Sequence, residues 1–233
     1  MKAAFFFLLL TGIYSSPSHG SEVVTFALGE YPPYTSADKL DAKLFEILVT
    51  AAFKHQSIDV EYEYYPWKRG FSLTKSGDVD GTFPWQKDAS REEDFIISEA
   101  PLYVDDAVYW HLRSTPFDWN STEDLKAYKF GASVGYRIEK FYAKNGIEYD
   151  IGVSGESNFK KLLAGRIEVY RTSKIVGLYT LNKILGSRVG YDVVFHPKVA
   201  EKLDFYILFS KKTTRGEHLA EEFSRGFRKL KSS

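Results

Sequence analysis

The residues with the clearest chemical potential are one arginine and a set of aromatics. Arg91 sits in Ala89-Ser90-Arg91-Glu92. A guanidinium presents a planar fork of donors that matches a carboxylate two bonds at a time, which makes Arg91 a candidate anion holder. Its other reading is a surface arginine paired with Glu92, Glu93 or Asp94, because exposed charge runs are commonly solvated. Trp67 and Trp85, with Tyr31 and Tyr34 of the loop Tyr31-Pro32-Pro33-Tyr34, are candidate walls. A flat ring stacks on the apolar or cationic part of a ligand, although each ring could equally pack a core. Phe83, Trp85 and Gln86 end a strand-like run. They are candidates for the same pocket, since open parallel sheets bind ligands at the carboxyl ends of their strands. Ser133-Val134-Gly135-Tyr136-Arg137 joins a strand pattern to a helix start, where free backbone N–H groups and the helix dipole favour an anion. Tyr136 and Arg137 are candidates there, with Arg137 reaching either an anion or water.

Other chemistries lack their residues. The chain has no cysteine, which excludes disulfides, thiolate nucleophiles and cysteine-ligated metals. His55, His111, His196 and His218 are far apart in sequence, with no His-Glu-x-x-His spacing. No Gly-x-Ser-x-Gly elbow and no phosphate-cradling Gly-Lys-Ser/Thr loop occurs. Glu30, Asp80 and Glu92 lie near candidate loops, but no spacing pairs them as acid and base. No cofactor or metal is implied. The net charge is zero, so the basic surplus that gives nucleic-acid binders their affinity is missing.

The elements that must position these residues alternate between strand and helix. Residues 22–28 read as a first strand, ended by the prolines of the following loop. Residues 42–55 carry Leu44, Ile47, Leu48, Ala51 and Ala52 at helical spacing. Residues 58–64 alternate Val60, Tyr62 and Tyr64 with Glu61 and Glu63, a strand. Pro66 suits a helix start, and the helix over 67–75 ends near Gly77. The turn Gly77-Asp78-Val79-Asp80-Gly81 reads as a plain connector into a strand over 79–85. A loop over 98–103 leads to a strand over 104–112. Asn120-Ser121-Thr122-Glu123-Asp124 reads as a capped helix start. Strands over 129–134, 166–171, 191–195 and 205–210 then alternate with helices over 135–144, 157–164, 174–185 and 216–230. Such alternation implies parallel sheets covered by helices. Two blocks meet near Leu112–Pro116 without a flexible linker, which predicts two lobes joined by short crossings near Leu112–Arg113 and Leu203–Asp204.

The N-terminus reads as an export signal. Lys2 precedes the apolar run Ala3–Leu10, and Ser18 and Gly20 have the spacing a signal peptidase reads. That run is too short to span a bilayer, which takes roughly 20 apolar residues. The mature start is placed near Ser21, and residues 1–20 are left out of the fold. A buried N-terminal helix is the alternative, which Pro17 and the neighbouring serines oppose.

Several of these motifs occur together and in order. Trp67-Lys68-Arg69-Gly70-Phe71, then Lys75-Ser76-Gly77-Asp78-Val79-Asp80-Gly81, then Ser90-Arg91-Glu92 and Ser98-Glu99-Ala100-Pro101-Leu102-Tyr103 resemble the family 3 extracellular solute-binding proteins. Tyr31-Pro32-Pro33-Tyr34 and the ending Tyr206-Ile207-Leu208-Phe209-Ser210-Lys211 fit as well. The resemblance spans residues 22–231 and is stronger in the first lobe. It implies an α/β fold of two lobes, each a mainly parallel sheet flanked by helices, with lobe 1 over residues 21–112 plus 205–233 and lobe 2 over 113–204. It implies a monomeric periplasmic receptor, not an enzyme, that closes on a small solute and delivers it to an ABC-type permease. By this resemblance Arg91 holds the ligand's carboxylate. The family's Gly-Ser/Thr pair in the second lobe is replaced here by Tyr136 and Arg137. Its ammonium-binding Asp is replaced by Ser173, counted from Gly165-Arg166-Ile167-Glu168. A hydroxyl cannot neutralise a buried ammonium, so an ordinary α-amino acid ligand is in doubt. A receptor for a membrane sensor, or a dehydratase on the same fold, are the alternatives.

Overall fold

Strand β1 (Glu22–Leu28) is flanked by parallel partners: β2 (Ile58–Tyr64) along its whole length, and β3 (Gly81–Trp85) at Phe26 against Gly81. The structure is a computed structural model, and it describes residues 22–133, 137–186 and 192–232. The expected leader 1–20, the turn residues 134–136 and the expected strand start at Tyr191 lie outside the described residues.

Helix α1 (Leu44–Lys54) makes the crossover from β1 to β2 and buries Phe45, Val49, Ala52 and Phe53. In β2 the alternation seen in the sequence is kept: Val60, Tyr62 and Tyr64 are half-buried and Glu61 and Glu63 exposed. Helix α2 (Trp67–Ser76) leads to β3 and is closed by Gly77 at φ 87°, the left-handed region that glycine enters without a Cβ clash. A one-turn helix α3 (Ala89–Glu92) is capped by Asp88, whose Oδ1 accepts from the Ser90 N–H at 2.9 Å. Strands β4 (Phe95–Ile97) and β5 (Tyr103–Leu112) follow.

The second lobe repeats the pattern. Strand β6 (Phe130–Ser133) pairs in parallel with β7 (Tyr149–Gly152) and β8 (Val169–Ser173). Helices α4 (Arg137–Asn145), α5 (Gly155–Leu163) and α6 (Lys174–Leu185) flank them, and β9 (Val193–Phe195) pairs with the end of β5. Strand β10 (Glu201–Ser210) and helix α7 (Gly216–Ser232) return to the first lobe. There α7 lies so close to α1 that a Cβ on Gly226 would sit 1.9 Å from the Ala52 carbonyl oxygen.

Two long strands join the lobes. The first five residues of β10, Glu201–Phe205, run antiparallel to β5 at Tyr103–Ala107, and the rest of β10 pairs with β3 and β4. Beyond Ala107, β5 pairs with β8 of the second lobe. The sheet order is therefore β2-β1-β3-β10-β5-β8-β6-β7. One apolar core holds Phe26, Phe53, Phe83, Ile207 and Phe223, and two smaller ones cover the faces of the second sheet, around Trp110 and Phe159 on one side and Phe130 and Tyr142 on the other. This is the two-lobed α/β architecture the alternation predicts.

The departures are local. β4 and β7 are strands where no strand was expected. β8 starts later than the expected 166–171, because Gly165 takes φ 66° and the chain is still turning, with Arg166 N–H bonded to the Lys161 carbonyl. At Asn120–Asp124 there is no capped α-helix. The Asp124 carboxylate reaches back to the Asn120 and Ser121 N–H groups, each at 2.8 Å, and only a 3-10 turn Asp124–Ala127 follows.

Candidate ligand-binding cleft

A cleft of about 950 Å³ is lined by residues of both lobes. Its floor follows from strand register. Side chains two apart on a strand share a face, and Glu201, Ala107 and Ser173 stand in one row across β10, β5 and β8. Tyr109 and Arg171 form the next row, and Leu203 and Phe205 continue the β10 face.

The first-lobe wall comes from α2, from the end of β3 and from the loop after β1. Trp67 and Phe71 pack edge to face on Trp85, with ring centroids 5.5 and 5.0 Å away. Gly29 makes room for this wall, since a Cβ there would lie 2.4 Å from the Trp67 ring. Arg91 is half-buried, with its Cζ 4.9 Å from the Trp85 ring centroid. One of its N–H groups donates to the Gln86 carbonyl oxygen. Burial pushes its pKa down from the ordinary guanidinium value, but a guanidinium remains protonated in proteins. The result is a cation partly stripped of water and facing a cleft. The alternative partners are otherwise engaged or solvated: Asp94 pairs with Lys75 at 2.6 Å, and Glu92 and Glu93 are exposed.

The second-lobe side carries Arg137 at the start of α4 and Arg171 on β8. Both donate to Glu201: Arg137 Nη2 to Oε1 at 2.7 Å, and Arg171 Nη2 to Oε2. Tyr170, Thr172, Ile138 and Phe141 complete that side.

The residues singled out from the sequence separate cleanly by position. Tyr31, Trp67, Trp85, Gln86 and Arg91 line the first-lobe side, and Arg137 and Ser173 the second. Ser173 faces the floor, but its hydroxyl is spent: it donates to Asp105 Oδ2 and accepts the Val176 N–H at 3.1 Å as the cap of α6. Two expected wall residues are not among the lining residues. Tyr34 is buried, its ring stacked on Phe45 at 4.3 Å and 9° and its hydroxyl donating to the buried Asp105. Phe83 is buried against Phe26 at 5.2 Å, because the register of β3 against β10 shifts by one residue between Thr82 and Trp85, which breaks the alternation of faces. Tyr136 lies outside the described residues. The turn Gly77–Gly81 is a connector: Asp80 Oδ2 accepts the Thr25 N–H at 2.9 Å and Oδ1 lies 3.3 Å from Arg215 Nε.

Sequence reasoning passed over Lys68, Phe71, Arg171 and Glu201. Arg171 carried a usable signal, since it lies two residues before Ser173 on the same strand face.

No family model matches the sequence, and no curated protein matches it. Solved structures do. The probable amino-acid ABC transporter extracellular-binding protein ytmK from Bacillus subtilis has TM-score 0.73 at 14% identity, covering 91% of this chain and 93% of that one. A histidine kinase sensor domain with similarity to periplasmic binding proteins has TM-score 0.73 at 20% identity, covering 89% and 90%. The GluR0 ligand-binding core from Nostoc punctiforme, in complex with L-glutamate, has TM-score 0.72 at 15% identity, covering 90% and 93%. These likenesses define the fold class: the chain has the two-lobed periplasmic-binding-protein-like fold.

Proposed function

We propose that this chain is a solute-binding protein that closes its two lobes around a small, carboxylate-bearing solute. The observation that carries the reading is Arg91, a half-buried cation on an aromatic wall, facing a cleft whose opposite side belongs to the other lobe. A ligand touching both sides binds the closed form better than the open one, and that difference in affinity drives closure. The hinge in this reading is the antiparallel pair of Tyr103–Ala107 with Glu201–Phe205, between lobes of roughly residues 21–112 plus 205–233 and 113–204, except that residues 108–112, paired with β8 and β9, move with the second lobe. The protein acts as a monomer in the periplasm, exported by its N-terminal segment, and passes the solute to an ABC-type permease. The likeness to a histidine kinase sensor domain supports a second reading, in which the same closure is reported to a membrane sensor. Catalysis is disfavoured on chemical grounds, since Glu201 is the one carboxylate among the described lining residues and two arginines hold it.

The test is a thermal-shift screen of the purified protein against organic acids and amino acids. A ligand at about a hundred times its Kd adds about 2.7 kcal/mol of stability. Arg91→Ala is expected to abolish the shift of every carboxylate hit. Hits whose shift survives that substitution refute the reading.

A further inference from the structure

The Arg137–Glu201–Arg171 cluster has the form of an occupied binding subsite. Each oxygen of the Glu201 carboxylate accepts from one guanidinium, which is how an incoming carboxylate would be held. The side chain of Arg171 is only 12% exposed, and a guanidinium so far removed from water requires an anion. Arg137 and Glu201 remain 57% and 37% exposed, so this arm of the cluster faces the open cleft and can rearrange. Among the described lining residues there are four cations, Lys68 and Arg91 on one side and Arg137 and Arg171 on the other, against this single carboxylate. Asp105, a buried carboxylate, is not a lining residue and already accepts from the hydroxyls of Tyr34 and Ser173. An ammonium in the cleft would compete with Arg137 and Arg171 for Glu201, the one carboxylate among the described lining residues.

Resting on the cleft reading above, we propose that Arg137 and Arg171 form a second anion subsite which Glu201 occupies until the ligand replaces it. The ligand is then a dicarboxylate without an amine. One carboxylate meets Arg91, the other displaces Glu201, and an apolar or aromatic body lies against Trp85, Phe71 and Phe141. Glu201 acts as an internal competitor: it offsets one of the two guanidinium charges in the empty protein and sets a threshold that a monoanion does not cross.

The experiment is calorimetric titration of the full-length purified protein with glutarate and isophthalate as dicarboxylates, butyrate and benzoate as monocarboxylates, and L-glutamate and L-phenylalanine as amino acids. At least one dicarboxylate is expected to bind about tenfold or more tighter than its monocarboxylate and amino-acid counterparts. Glu201→Gln, which keeps the shape and removes the charge, is expected to tighten that dicarboxylate by about tenfold and to let the monocarboxylates bind more tightly too, since the competitor that excludes them from the subsite is gone. Glu201→Asp, too short to span both guanidinia, is expected to tighten it in the same direction and guards against a misfolded glutamine variant. Thermal unfolding of both variants without ligand checks the fold. If an amino acid binds best and Glu201→Gln weakens it, Glu201 is an ammonium partner; the dicarboxylate proposal is then wrong while the cleft reading stands. If a carboxylate probe binds and neither Glu201 variant alters any affinity, the competitor role is likewise wrong. If no probe binds the wild type or either variant, the cleft reading falls and the proposal with it.

Discussion

Tyr34 donates its phenol hydrogen to the carboxylate of Asp105, tying the loop after the first strand to the strand that runs between the lobes. Burial, then the bond to Asp105, push the phenol pKa well up, so Tyr34 stays a donor at any ordinary pH. Tyr34→Phe keeps the stacking on Phe45 and removes one donor from a buried charge. A bond to a charged group contributes about 1.5–3 kcal/mol, so that is the expected loss of stability. Urea denaturation of the two proteins measures it. An unchanged midpoint would show that Ser173 and the Asp106 N–H, the other groups bonded to Asp105, are sufficient.

Gly29→Ala tests whether the tryptophan wall is needed for binding. The new methyl group would lie 2.4 Å from the Trp67 ring, and that ring must move. Overpacking of this kind costs about 1–3 kcal/mol. The expected result is a modest fall in stability together with weaker binding of carboxylates with an aromatic body. Binding of small aliphatic carboxylates should change less. Equal loss for both classes would mean that the substitution acts on folding alone.

Tyr142→Phe should stabilise the protein. The ring fills the core between Phe130 and Tyr149, but its buried hydroxyl has no hydrogen-bond partner among the described residues. Leaving a buried polar group unsatisfied costs about 1–3 kcal/mol, and removing it recovers about 1 kcal/mol or more. A lower melting temperature in the variant would contradict this.

His111 gives stability a specific pH dependence. The imidazole is buried in β5 and its Nδ1–H donates to the Leu112 carbonyl oxygen at 2.9 Å. Burial holds its pKa below the ordinary 6.5. The unfolded chain therefore takes up a proton at a higher pH than the folded one. This group's contribution is complete above about pH 6.5 and is lost as pH falls toward its folded value. Unfolding free energies between pH 8 and pH 5, measured in about half-unit steps, should fall on the acid side, and the fall should be shallower in His111→Gln. Parallel profiles for the two proteins would assign the slope to other groups.

Local physics was legible in the sequence wherever a pattern has only one reading. The helical period over Lys174–Leu185 gives α6 with both its ends, and the spacing of Leu219, Phe223 and Phe227 marks the buried face of α7. Strand–helix alternation gives parallel pairing in both lobes. Arg91 was reachable too, because a short polar stretch after a strand places it beside the strand's carboxyl end. Aromatic residues were the ambiguous ones. A tyrosine in a proline-rich loop suits a pocket or a core equally, and only the tertiary structure turns Tyr34 inward toward Asp105 while leaving Tyr31 in the cleft. A one-residue register shift sends Phe83 to the core and Trp85 to the wall, and neither residue's immediate neighbours announce it. Arg171 and Glu201 are 30 residues apart and meet only because their strands lie on either side of β5, each antiparallel to it. The sequence by itself determined most of the elements and the two-block organisation, since those follow from short-range sterics and burial periodicity, and it marked Arg91 as a candidate without deciding between cleft and surface. Which charges face each other across the cleft was decided by strand pairing between distant segments, an interaction that no local pattern encodes.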